Sequence, residues 1–448
     1  MSKRTFIFLI ITLALASFAI WGFFKFAKTT PTMPGEGGID INFISQFNPF
    51  GTSTKTPPTT PPTDVSGYQP GAEGETVKLK LTKISSMPIA GYTVFSKERL
   101  KEINPFPTLP LTGQGDNLVP PAKGGAGGLS VLTEFIPNLR YVEKATGNIY
   151  QTFADLIVEK KFSGTIIPKV YDAYFGNNGE SVVMRYLKGD SKTIETFVGT
   201  LPKELLGADP NLINETKGAF LPDNVKDISI SPDGTKIFYL FKSGDNMIGT
   251  ILNFLTNKKV QVFDSPFTEW LSQWGNNKTI NLTTKPSANI PGYMYSTDDA
   301  GKNLNRVLGN INGLTTLSSP DGKLILYGNS NLTLNIYHMD TRTSDSAFGI
   351  KTLPEKCVWG ELSDVFYCSV PKFIDSGSYP DSWYQGEVSF NDNLWKIDAK
   401  NGNTTLLLDP SAFTTEQIDG IKLSLDENEN YLFFVNKKDS SFWEYMLK

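Results

Sequence analysis

Histidine is almost absent: His338 is the only one in 448 residues. A site needing two imidazoles is therefore excluded, and with two cysteines a four-thiolate zinc or iron–sulfur site is excluded too. Arginine is scarce, with Arg4, Arg99, Arg140, Arg185, Arg306 and Arg342 falling far apart in the chain. Lysine plus arginine (42) against aspartate plus glutamate (46) leaves a net charge of −4. That balance gives no basic field for nucleic acid, so none is expected as a partner. No metal, cofactor or catalytic residue is singled out. What is present is enough apolar residue, 39%, to build a large core in a chain this long.

The N-terminus carries the longest apolar run. After Lys3 and Arg4, residues Thr5 to Phe24 are uncharged, and about 20 helical residues cross a hydrocarbon core of roughly 30 Å. Small residues at Ala14, Ala16 and Ala19 suit a cleavable signal peptide, but Ile20-Trp21-Gly22-Phe23-Phe24 continue the run beyond them. An uncleaved anchor over 1–28, with the remainder outside the cytoplasm, is the expectation. Residues 29–74 hold 8 Pro, 7 Gly and 9 Thr, a composition that cannot bury a core and reads as an extended tether. A second biased stretch, 104–128, with 5 Pro and 6 Gly, reads as a long surface loop.

From residue 75 to 448 the chain reads as short strands separated by turn clusters, with little helical periodicity. Ser231-Pro232-Asp233-Gly234 before Ile237-Phe238-Tyr239 recurs as Ser319-Pro320-Asp321-Gly322 before Leu324-Ile325-Leu326-Tyr327. Weaker copies begin at Gly176, Trp274, Trp359 and Ser424, and the six starts lie 55, 43, 45, 40 and 65 residues apart in chain order. These spacings centre on the roughly 40–50 residues of a four-stranded propeller blade. Asp233 and Asp321 can cap their own turn and Gly234 and Gly322 can take positive φ, so these four residues are assigned a structural role. With an earlier inner strand at Pro88–Phe95, the turns make seven units. Three strands at the C-terminus lack an outer partner, which Val77-Lys78-Leu79-Lys80-Leu81 can supply by its apolar and charged alternation. The predicted fold is all-β: a seven-bladed propeller of four-stranded antiparallel blades, after one transmembrane helix and a linker.

The Ser-Pro-Asp-Gly turn followed by an apolar strand resembles the TolB-type, WD-repeat-like β-propeller domain. The whole chain is also similar to membrane-anchored bacterial envelope propellers with a short anchor and a Pro-rich tether. The resemblance implies the fold and says almost nothing of activity. The Trp-Asp dipeptide of the eukaryotic repeats is absent, which argues against their signalling partners. Thr297-x-Asp299-x-Gly301-x-x-Leu304 resembles the Asp-box turn of sialidases, itself structural.

Two further features stand out. Cys357 and Cys368 flank a hairpin whose turn at Leu362-Ser363 sets them opposite one another, so a cross-strand disulfide is expected in an oxidising compartment. An insertion at 371–390 concentrates Tyr379, Asp381, Trp383 and Tyr384, the candidate partner-binding residues; its competing reading is a loop folded back over the propeller. The functional expectation is a membrane-tethered module of the cell envelope, periplasmic or at the surface, binding a protein or glycan. The alternative is a glycosidase-like hydrolase or lyase with carboxylates in the central channel. Clustered Asp, Glu and Arg with shifted pKa values at the channel mouth favour the enzyme, and an aromatic, weakly charged face favours binding.

Overall fold

The computed structural model describes residues 80–101, 132–204, 206 and 213–448. They form seven separate four-stranded antiparallel sheets; six are built of consecutive strands, and the seventh joins the first described strand to the last three. The innermost strands are Ile89–Leu100, Val170–Gly176, Val225–Ile230, Trp270–Asn276, Thr315–Ser318, Cys357–Trp359 and Gly420–Leu425, of blades one to seven in turn. The predicted anchor, tether and 104–128 loop lie outside the described residues. Among the described residues no helix is long and apolar enough to cross a membrane.

The recurring turn folds as its chemistry requires. Asp233 Oδ1 accepts from Thr235 N at 3.0 Å and from Ser231 Oγ at 2.6 Å, while Gly234 sits at φ +69°. Asp321 repeats this with Lys323 N (3.1 Å) and Ser319 Oγ (2.6 Å), and Gly322 sits at φ +72°. In the sialidase-like turn the capping residue is Asp298, one position before the motif's Asp299; its Oδ1 accepts from Ala300 N at 3.1 Å and Lys302 N at 2.7 Å.

Packing is distributed over the junctions between blades. Blade one meets blade two through Val142, Ile149 and Phe162 against Val170, Val182 and Met184. Blade three meets blade four through Phe238 and Leu240 against Trp274, Ile280 and Leu282. The ring closes where Ile89, Leu139 and Tyr141 of blade one pack on Phe433, Val435 and Phe442 of blade seven. The closing outer strand is Leu81–Lys83, paired with Phe442–Met446 as Leu81↔Tyr445 and Lys83↔Trp443. It therefore begins where the predicted Val77–Leu81 strand ended; buried Leu81 and Ile84 fix this register.

Cys357 and Cys368 are register partners on the first two strands of blade six and are joined by a disulfide. The closed loop is short, so the bond contributes about 2–3 kcal/mol in the chain-entropy model.

Candidate binding site at the channel mouth

In this topology the start of every innermost strand, the loop between second and third strands, and the entry to the next blade open on one face. On that face the ladder between the first two strands is broken in four adjacent blades: at Ile421/Ser424 (blade seven), Ile89/Gly91 (one), Val170/Asp172 (two) and Val225/Asp227 (three). Such bulges insert extra residues and re-aim the side chains beside them. Lys422, within the first break, sits at φ +52°, and Tyr92 Oη holds its carbonyl at 2.5 Å.

The re-aimed side chains meet. Lys422 Nζ donates to Asp172 Oδ1 at 2.6 Å and to Ala90 O at 2.9 Å. Arg185 donates to Asp172 Oδ2 at 3.2 Å and to Val225 O at 2.7 Å, so the carboxylate ties blade seven to blade two and Arg185 extends the network to blade three. Burial alone would raise the Asp172 pKa, but Lys422 and Arg185 prevail and hold it below the ordinary value. Asp227 receives Ser272 N at 2.5 Å and Ser272 Oγ at 2.7 Å, yet burial still lifts its carboxyl above the usual range. Tyr174 lies under Lys422, its ring 5.6 Å from the ammonium.

The other side of the mouth is roofed by the insertion, which runs from Lys372 to Asn391 between two strands of blade six. It contains a single helical turn, Asp381–Tyr384. Asp381 Oδ2 accepts from Ala288 N of blade four at 2.6 Å, and Lys437 of blade seven donates to Trp383 O at 2.8 Å. The insertion thus spans from blade four to blade seven.

The four candidate residues part company here. Tyr379 and Trp383 are buried with Leu332, Leu353 and Phe390, so they hold the roof in place. Asp381 is half-buried in its bond to blade four. Tyr384 stays at the surface, and its hydroxyl donates to Glu355 Oε1 at 2.5 Å. Burial pushes the Glu355 carboxyl up to about 7, against the opposing pull of Tyr384, Lys356 and Lys437. The insertion also presents Phe373, 84% exposed, which sequence reasoning passed over because no motif surrounds it. Accordingly Trp383→Ala is expected to cost about 3–5 kcal/mol in urea unfolding, whereas Phe373→Ala should stay within about 0.5 kcal/mol. Equal losses would show that the insertion is not divided in this way.

His338 is remote from the mouth in function: on the third strand of blade five, its Nε2 pairs with Asp345 Oδ2 of the neighbouring strand at 2.9 Å. A cavity of about 730 Å³ lies against blades one and two, lined by Phe95, Arg140, Phe153 and Glu204. Its buried Arg140 is engaged by Gly179 O, Gln151 and Glu204 at 2.7–3.0 Å, and we assign it a structural role.

No protein-family model matches the chain, and no curated protein matches it in sequence. Among solved structures it is similar to an oligogalacturonate lyase in complex with manganese, at 10% identity over 69% of this chain and 86% of that one, with a TM-score of 0.44. It is likewise similar to an oligogalacturonate lyase from Vibrio parahaemolyticus, at 8% identity, the same coverages and a TM-score of 0.45. At such identity the likeness is one of fold alone.

Proposed function

We propose that this is a membrane-tethered, extracytoplasmic binding module of the TolB-like kind, whose working site is the half-roofed channel mouth. The observation that carries the reading is the convergence of Asp172, Arg185, Asp227 and Lys422 where four adjacent blades bulge. Arg185, Lys422 and Lys437 supply cations, Tyr174 and Tyr384 supply stacking surface, and two of the nearby carboxyls, Asp227 and Glu355, are shifted toward their neutral forms. Such a mouth suits an anionic group on a glycan or protein partner.

The pH dependence follows in sign. Glu355 gains its proton as pH falls through about 7, which removes a negative charge beside Lys356, Lys437 and Tyr384. Anion binding to the full chain should therefore be tighter at pH 6 than at pH 8, and Glu355→Gln should flatten the difference. Calorimetric titration with acidic and neutral oligosaccharides and acidic peptides checks this. Lys422→Ala should weaken anion binding by about tenfold or more, or 1.4 kcal/mol; unchanged affinity would overturn the site.

The clustering of Asp172, Asp227 and Arg185, with the two carboxyl pKa values displaced in opposite directions, is the feature expected of the enzyme and supports acid–base catalysis as a second reading. The present bonds favour binding, because Asp172 is held by two cations and Glu355 by Tyr384. Turnover of an acidic oligosaccharide that Asp227→Asn abolishes, with binding retained, would decide for the enzyme.

A further inference from the structure

Lys356, Asp392 and Asp419 are each completely removed from solvent. They come from three places: the 3₁₀ turn before the inner strand of blade six, the start of that blade's third strand, and the entry to blade seven. Lys356 Nζ donates to Asp392 Oδ2 at 2.8 Å and contacts Asp419 Oδ1. The rings of Trp383 and Phe390 lie 5.2 and 5.3 Å from the nitrogen. Asp419 Oδ2 is held by Phe390 N at 3.0 Å, Trp383 Nε1 at 3.0 Å and Ser389 Oγ at 3.1 Å. Asp392 Oδ2 also accepts from Gly420 N at 2.7 Å, while its Oδ1 is buried without a hydrogen-bond partner.

We propose that Lys356 and Asp419 are a self-modification site, at which the folded chain forms an isopeptide bond between Lys356 Nζ and Asp419 Cγ. The reaction is a condensation that needs no oxidant, reductant or cofactor. A proton moves from the ammonium to Asp419 Oδ1, leaving a neutral amine against a neutral acid, with Asp392 ionised. The amine lone pair attacks Asp419 Cγ, and the charge that develops on Oδ2 falls on the three donors already aimed at that atom. Asp392 takes the second proton from nitrogen and delivers it to Oδ1. The C–Oδ1 bond breaks, water leaves, and an ammonium and a carboxylate have become one amide and one water.

The surroundings favour that direction. An ion pair in a dry pocket carries a large desolvation penalty, and an amide carries far less. Burial, assisted by Asp419 and opposed by Lys356, raises the Asp392 carboxyl to about 6, which suits a group that must both hold and release a proton. Lys356 and Asp419 stand 63 residues apart, so the bond would tie blade six to blade seven covalently beneath the insertion.

The test uses the full chain, reduced, alkylated and unfolded, then digested with trypsin and read by mass spectrometry. The expected result is a branched peptide joining Lys356 to Asp419, lighter by one water than the sum of its parts, with no cleavage after Lys356. Asp392→Asn should restore the two linear peptides. Linear peptides from the natural sequence, with Lys356 open to cleavage and to acylation, would overturn the proposal, as would a branch at Asp392.

Discussion

Replacing Lys356 by methionine is expected to lower the unfolding free energy by about 3–5 kcal/mol, the loss seen when one partner of a buried ion pair is removed. The methionine keeps the volume of the stem but can neither pair with Asp392 nor condense with Asp419, so the loss measures all that the amine contributes. Without it, Asp392 and Asp419 share a dry pocket, and Asp392, already at about 6, should rise further. A carboxyl with a folded pKa above its unfolded value binds more protons in the folded state between those two values. Stability then falls as pH rises through that window. The variant should accordingly regain part of its loss at pH 5 relative to pH 8, by more than the natural protein does, in urea titrations at both values. Adding Asp392→Asn should recover stability at pH 8. A loss under about 1 kcal/mol would mean that the triad does not hold the insertion.

The ring was legible because its turns repeat a chemistry that folding alone demands. Asp233 and Asp321 cap identical reversals, and a period shared by six turns needs only local hydrogen bonds to be read. The disulfide was legible for the same reason, since Cys357 and Cys368 lie symmetrically about a turn at Ser363, which takes φ +59°. The closing strand was placed a few residues early because alternation of period two runs from Val77 to Thr82 and does not mark where pairing begins. Only tertiary packing, with Leu81 opposite Tyr445, selects the register.

The channel mouth was not legible, and the reason is physical. Lys422, Asp172 and Asp227 come from three different blades, so no local spacing relates them. Each also sits at a bulge, where the alternation that tells inward from outward residues is interrupted. Trp383 posed a different difficulty. An aromatic residue in a polar insertion reads the same whether it meets a partner or its own protein. What decides is Asp419 in the next blade, which accepts the indole proton.

A chain beginning at residue 85 should fail to form the closed ring, the largest effect expected of any change considered. It lacks Leu81–Lys83, and with them the register partners of Trp443, Glu444 and Tyr445. It also loses Ile84, whose N–H donates to Phe442 O at 2.7 Å and whose side chain packs with Tyr141 and Phe433 at the junction of blades seven and one. Lys83 pairs with Glu416 at 3.1 Å, but that half-exposed pair contributes little beside the lost strand. An unpaired edge carrying Trp443 and Tyr445 is a template for association between chains. The truncated protein should therefore aggregate or unfold without a cooperative transition, while one beginning at residue 76 retains the strand and should melt cooperatively. Between these, Leu81→Ala isolates the packing term and should cost about 2–5 kcal/mol. Coincident melting curves for chains beginning at residues 76 and 85 would show that blade seven is complete with three strands and that closure rests on the junction alone.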